Sequence, residues 1–121
     1  KEVNGVKTNN LGIEIKTKKD AAVKSIHDGI VIEIDFNPYF GSFVIIDHGK
    51  GFSTLYAHLN DNNILVKKNQ YIDRNKIIGY ALNTNENNQT FGMINFMIFK
   101  NEKDRNGNYR TTNKNPEEWI K

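Results

Sequence analysis

Residues Gly41 to Leu59 read GSFVIIDHGKGFSTLYAHL, and this stretch decides the fold. Phe43, Val44, Ile45 and Ile46 form one run of aromatic and β-branched residues, and Ser53, Thr54, Leu55, Tyr56 and Ala57 form a second. Such runs suit a pleated, partly buried surface and are too short for a stable helix. Between them lies Asp47-His48-Gly49-Lys50-Gly51. Glycine takes the positive φ that a tight connection needs, and Asp47 and His48 can hydrogen-bond turn amides. The stretch is therefore a β-hairpin whose second strand delivers His58 to its exit.

Outward from the hairpin, short strands are expected on both sides. Gly12 to Ile15 reads as one, followed by the turn-like Lys16 to Ala22. Val23 to Ile26 and Ile30 to Ile34 flank the turn His27-Asp28-Gly29, and Asn37 to Gly41 reads as a loop that exposes Tyr39 and Phe40. Downstream, Ile64 to Val66, Tyr71 to Ile72, Lys76 to Leu82 and Gly92 to Lys100 read as strands. Asn83 to Gln89 reads as an exposed, mobile Asn-rich loop, because Asn tolerates turn geometry and solvates well. Asn101 to Asn108 is expected to be a hairpin tip, and Asn115 to Ile120 a final turn that docks Trp119. No helical periodicity persists, so the expected architecture is all-β, an antiparallel open barrel-like sheet with a groove on one face.

Composition bounds the class. The 121 residues contain 37% hydrophobic side chains, which suits one domain with a modest core. No stretch approaches the apolar length of a membrane span. The chain begins at Lys1 without a signal peptide, so it is expected to be a fragment of a longer protein. There is no cysteine, which excludes disulfides and thiolate metal sites. Net charge is +3, but the lysines are scattered and no basic cluster interleaves with aromatics, so no nucleic-acid partner is expected.

Val44 to Leu59 closely resembles the central hairpin of the LytM domain, the lysostaphin-type family of zinc peptidases that cut bacterial cell-wall cross-bridges. The resemblance extends to Gly12 to Gly29, to Val66 to Gly79 (VKKNQYIDRNKIIG), and to the close Asn115-Pro116-Glu117-Glu118-Trp119-Ile120. It implies residues 1–9 as an N-terminal extension and 10–121 as the LytM-like domain, of duplicated hybrid motif type. In that family the zinc ligands are the His and Asp of an H-x-x-x-D segment and the second His of an H-x-H pair. The first His of the pair and the hairpin-exit His flank the metal-bound water.

Laid on this pattern, Asn10-Leu11-Gly12-Ile13-Glu14 stands for H-x-x-x-D and Met93-Ile94-Asn95 for H-x-H. His58 is the only family site residue left. A neutral amide oxygen is a far weaker zinc ligand than imidazole, and Met93 cannot act as a general base. The resemblance therefore points to the degenerate branch, the EnvC-like and NlpD-like domains of cell division, which lack zinc and activate cell-wall amidases. It implies no catalytic residue, no metal site, no cofactor and a place in the bacterial envelope, in the periplasm or at the surface. The expected partner is an amidase or another peptidoglycan hydrolase, with peptidoglycan itself a further candidate, bound in a groove formed by Asn10, Glu14, Tyr39, Phe40, His58, Met93 and Asn95. The alternatives are a zinc endopeptidase with an atypical site and a passive wall-binding module.

The same residues also have structural readings. His58 can be a hydrogen-bonded strand-end histidine, while His27 and His48 are expected to be surface or capping residues. Glu14 and Asn95 either pair with each other and plug the former metal cavity or line an open groove.

Overall fold

A computed structural model describes residues 12–103 and 109–114, with side chains over 12–100. The first eleven residues, the tip at 104–108 and the close at 115–121 lie outside them, and with them the expectations for Asn10, the N-terminal extension, the hairpin tip and Trp119.

The predicted hairpin is present as β4 (Gly41–Asp47) and β5 (Phe52–Leu59). His48 N–H donates to the Phe52 carbonyl (3.0 Å), and Phe52 N–H to the Gly49 carbonyl (3.1 Å). Gly49, Lys50 and Gly51 all have positive φ, at 74°, 54° and 82°. A Cβ added at Gly49 would meet nothing within 4 Å, so its only penalty is backbone strain. Gly49→Ala is expected to cost about 1 kcal/mol, read as a lowered melting temperature; an unchanged one would contradict the turn geometry.

Around this hairpin the chain winds one curled antiparallel sheet. β1 (Ile13–Thr17), β3 (Gly29–Asn37), β6 (Tyr71–Ile72) and β9 (Gln89–Lys103) join it in the order β1-β9-β5-β4-β3-β6. β8 (Leu82–Glu86) and β10 (Tyr109–Lys114) also pair with β9. Met93 pairs with both Lys16 and Leu82, and Phe96 with both Ile13 and Tyr56. β8 and β5 therefore share one edge of β9, while β1 and β10 share the other. A separate ribbon of β2 (Ala22–Lys24) and β7 (Ile77–Tyr80) completes the fold.

Strand alternation places apolar residues on both faces of the sheet. Val31, Val44, Ile46, Phe52, Tyr56, Phe96 and Ile98 belong to the main core, which also takes Val23 and Ile78 from the ribbon. On the opposite face Leu55, Ala57 and Met97 form a smaller cluster with Phe40, Phe43, Ile45 and Phe99. β5 is thus covered on both sides.

Three expectations need correction. The Asn-rich stretch is no loose loop: β8 and β9 meet in a two-residue turn, Asn87-Asn88, with φ of 51° and 64°. Two successive positive φ values are what a twisted tight hairpin requires, and Asn accepts them. Asn83 further exchanges side-chain bonds with Asp20, accepting from its N–H (2.9 Å) and donating to its carboxylate (2.7 Å). Ile64 to Val66 forms no strand; it follows a 3-10 turn at Asp61–Asn63 capped by Asn60 and bonds β7 through Leu65 N–H and the Ile78 carbonyl. Its apolar residues signal the burial of Val66 and no ladder. Finally, Lys76 to Leu82 is split between β7 and β8, because Ala81 bridges to Leu59 instead of continuing the ribbon.

His48, at the edge of the turn, is half-buried and held by partners on both ring nitrogens. It stacks on Phe52 (centroids 4.9 Å apart) and meets His27 edge-on at 5.7 Å. Its Nδ1 lies 2.7 Å from the Asp28 carbonyl, and its Nε2 lies 2.6 Å from Thr54 Oγ1. A carbonyl only accepts, so Nδ1 carries the proton of the neutral ring and Nε2 accepts from Thr54. That leaves the 2.9 Å bond between the Thr54 and Tyr56 hydroxyls to be donated by tyrosine, whose oxygen accepts Ile26 N–H at 3.1 Å. Burial pushes the His48 pKa below 6.5, with nearby His27 adding to the shift; the Asp28 carbonyl and the Asp47 and Asp28 carboxylates oppose it. The unfolded chain therefore takes up this proton first as pH falls. Stability from neutral His48 is complete above pH 6.5 and is lost as pH drops toward the lower folded pKa. His48→Gln is expected to flatten the decline in melting temperature between about pH 7 and 5; an equally steep decline in the variant would sink this reading.

Candidate functional site

On the face that carries the smaller apolar cluster, β1 and β9 bring Glu14 directly opposite Asn95, which in turn pairs with Ala57 of β5. These two side chains, with Gly12, Tyr39 and Phe40, line a cleft of about 460 Å³. No hydrogen bond joins the Glu14 and Asn95 side chains among the described residues. Among the described residues they line a cleft and do not pair across it.

The aromatic wall comes from the connection between β3 and β4. The Asn37 side-chain oxygen accepts the N–H groups of Tyr39 (2.7 Å) and Phe40 (3.3 Å), which fixes the turn. Tyr39 is 86% exposed. Phe40, expected to be equally free, is half-buried against the cluster of Leu55, Ala57 and Met97.

His58 owes its position to an irregularity. Phe43 pairs with Ala57 but Ser42 pairs with Leu59, so His58 is an extra residue in β5, with φ of 65°. A bulge of this kind re-aims a side chain. Here His58 N–H donates to the Phe40 carbonyl (2.8 Å) and the ring Nδ1 donates to the Met93 carbonyl (2.6 Å). The histidine therefore ties the aromatic turn to β9. His58 and Met93 adjoin the cleft, although neither is among its lining residues. No pattern in the sequence announces the bulge, since it shows only in the pairing of β4 with β5.

Gly12 shapes the floor. Its φ is 80°, and a Cβ there would overlap the Phe96 carbonyl oxygen and the Met97 side chain. Only a residue without a side chain lets the start of β1 lie flush against β9.

The pattern of peptidase family M23 matches residues 8–107. The chain belongs to peptidase family M23. Among its relatives is the peptidoglycan DD-endopeptidase ShyA of Vibrio cholerae, 44% identical over 57 residues, which are 47% of this chain and 13% of ShyA. This M23 chain thus spans about an eighth of the length of that relative. A zinc-containing peptidase from Vibrio cholerae has a similar structure, with a TM-score of 0.62 and 32% identity over 74% of this chain and 26% of that one. Lysostaphin from Staphylococcus simulans shares the fold, with a TM-score of 0.70 and 19% identity over 92% of this chain and 43% of its own. The curled half-barrel sheet is accordingly that of the M23 fold.

Position 10, one of the ligand positions of the family pattern, lies outside the described residues. Among them no three His, Cys, Asp or Glu side chains converge as a metal site. Glu14 offers one carboxylate, and opposite it Asn95 offers a neutral amide. No helix of the described residues is long and apolar enough to cross a membrane.

Proposed function

We propose that this M23 domain is catalytically inactive and belongs to a bacterial cell-envelope protein, where its cleft holds a segment of a peptidoglycan hydrolase, foremost a cell-wall amidase, and regulates it. The observation that carries this reading is the donor set: Glu14 faces an amide at Asn95, and position 93 is a thioether. A catalytic zinc takes three strong N, O or S ligands and leaves a fourth position for a water whose pKa it lowers to about 7. An amide and a single carboxylate do not hold it, and methionine cannot take the water's proton. The concavity persists, and its aromatic wall offers contact area at small entropy cost. The relationship to a named peptidoglycan endopeptidase supports the envelope setting.

Two assays test this. Purified domain supplied with zinc is expected to release no fragments from isolated cell wall, and chelator-sensitive release would overturn the reading. Added to an amidase from the same envelope, the domain is expected to raise fragment release several-fold, and Asn95→Arg to abolish the increase while circular dichroism shows an intact fold. Sedimentation with cell wall but no effect on any hydrolase would replace regulation by passive wall binding.

A further inference from the structure

The chain carries a net charge of +3, yet among the described residues the only charged side chain lining the cleft is Glu14. Nothing among the described residues neutralises it. Lys16, two positions along the same strand and on the same face, is held over the Phe91 ring with Nζ 4.2 Å from the centroid. The Asn95 amide opposite Glu14 likewise makes no side-chain hydrogen bond among the described residues. A carboxylate, an unused amide oxygen and an aromatic ring on one concave wall are the groups that receive an organic cation: the first two accept its N–H bonds and the ring face attracts its charge. Glu14 is exposed, so its attraction is screened by salt, and its sign is opposite to that of the chain's net charge.

We propose that Glu14, Asn95 and Tyr39 form a subsite for an ammonium or guanidinium group, carried as a Lys or Arg side chain on the protein segment that enters the cleft. This rests on the reading that the cleft holds such a segment. Beyond the charge, two aromatics wall the cleft, Tyr39, 86% exposed, and the half-buried Phe40. That wall suits apolar residues flanking the cation in a polypeptide better than a polar wall fragment.

The test uses a capped pentapeptide with a central lysine between leucines, the same peptide with acetyl-lysine, and an amine-bearing wall peptide, each titrated by NMR into the wild-type domain and Glu14→Gln. The lysine peptide is expected to bind about tenfold more tightly than its acetylated form, to weaken with salt, and to shift the Asn95 and Tyr39 signals. Glu14→Gln is expected to reduce the preference to less than about twofold. Equal affinity for the two peptides, unchanged preference in Glu14→Gln, or no binding at all would overturn the subsite. Tighter binding of the wall peptide would overturn its assignment to a protein partner. Zinc-dependent wall cleavage would overturn the inactive reading alone, because the peptide preference is measured without reference to cleavage.

Discussion

The quadruple variant Asn10→His, Glu14→Asp, Met93→His and Asn95→His is expected to bind one zinc per chain at micromolar Kd or tighter, about 8 kcal/mol of binding free energy, where the parent binds weakly or not at all. Three features support this. Position 14 lies opposite position 95 across β1 and β9, so the new Asp and His share one face. Position 93 lies on that face too, since strand residues two apart point the same way. His58, which in the family pattern flanks the metal-bound water, is already oriented by its Nδ1 bond to the residue 93 carbonyl, and its Nε2 has no partner among the described residues. Isothermal titration checks the affinity. A folded variant that takes up no zinc would mean that position 10, outside the described residues, does not complete the set as the family pattern requires.

Phe96→Ala is expected to be the most damaging single truncation, at about 3–5 kcal/mol. Phe96 is 2% exposed and packs against Tyr56, with ring centroids 5.3 Å apart. Its backbone is laddered on both edges, to Ile13 and to Tyr56, so the strands cannot close over the cavity. Against a typical total stability of about 5–15 kcal/mol, this removes a large share. The melting temperature is expected to fall on the order of 10–20 °C, whereas Phe36→Ala, at an exposed position, should stay within about 0.5 kcal/mol of the parent. Comparable losses in the two would contradict the core assignment.

Most of the fold is legible in the sequence, because the strands alternate or carry continuous β-branched runs and the central turn contains its glycines. What escapes is geometry that depends on distant partners. Asn87-Asn88 reads equally well as loop or tight turn, and pairing of β8 with β9 selects the turn. Ile64 to Val66 has strand composition but lies beside β7 with too few bonds for a ladder. The replaced positions of the site, Glu14, Met93 and Asn95, stand out once the motif spacing is recognised. The roles of His48 and His58 do not. Each ring is held by a carbonyl far along the chain, Asp28 for one and Met93 for the other.

The placement of β9 also governs when the domain can exist. Four strands, β1, β5, β8 and β10, hydrogen-bond to β9, and Ile13 near the start of the described chain finds its partner only at Phe96. Until residues 89–103 have been synthesised, the central hairpin has one open edge and β1 has no ladder partner. Pairings so distant in sequence are slow to form, because loop closure comes before the contacts that reward it. A nascent or threaded chain therefore stays unfolded until β9 arrives, with the apolar run of β5 exposed and prone to aggregate. Stalling synthesis before residue 89 would leave a species open to protease and to chaperones, while synthesis of all of residues 89–103 would let the sheet close.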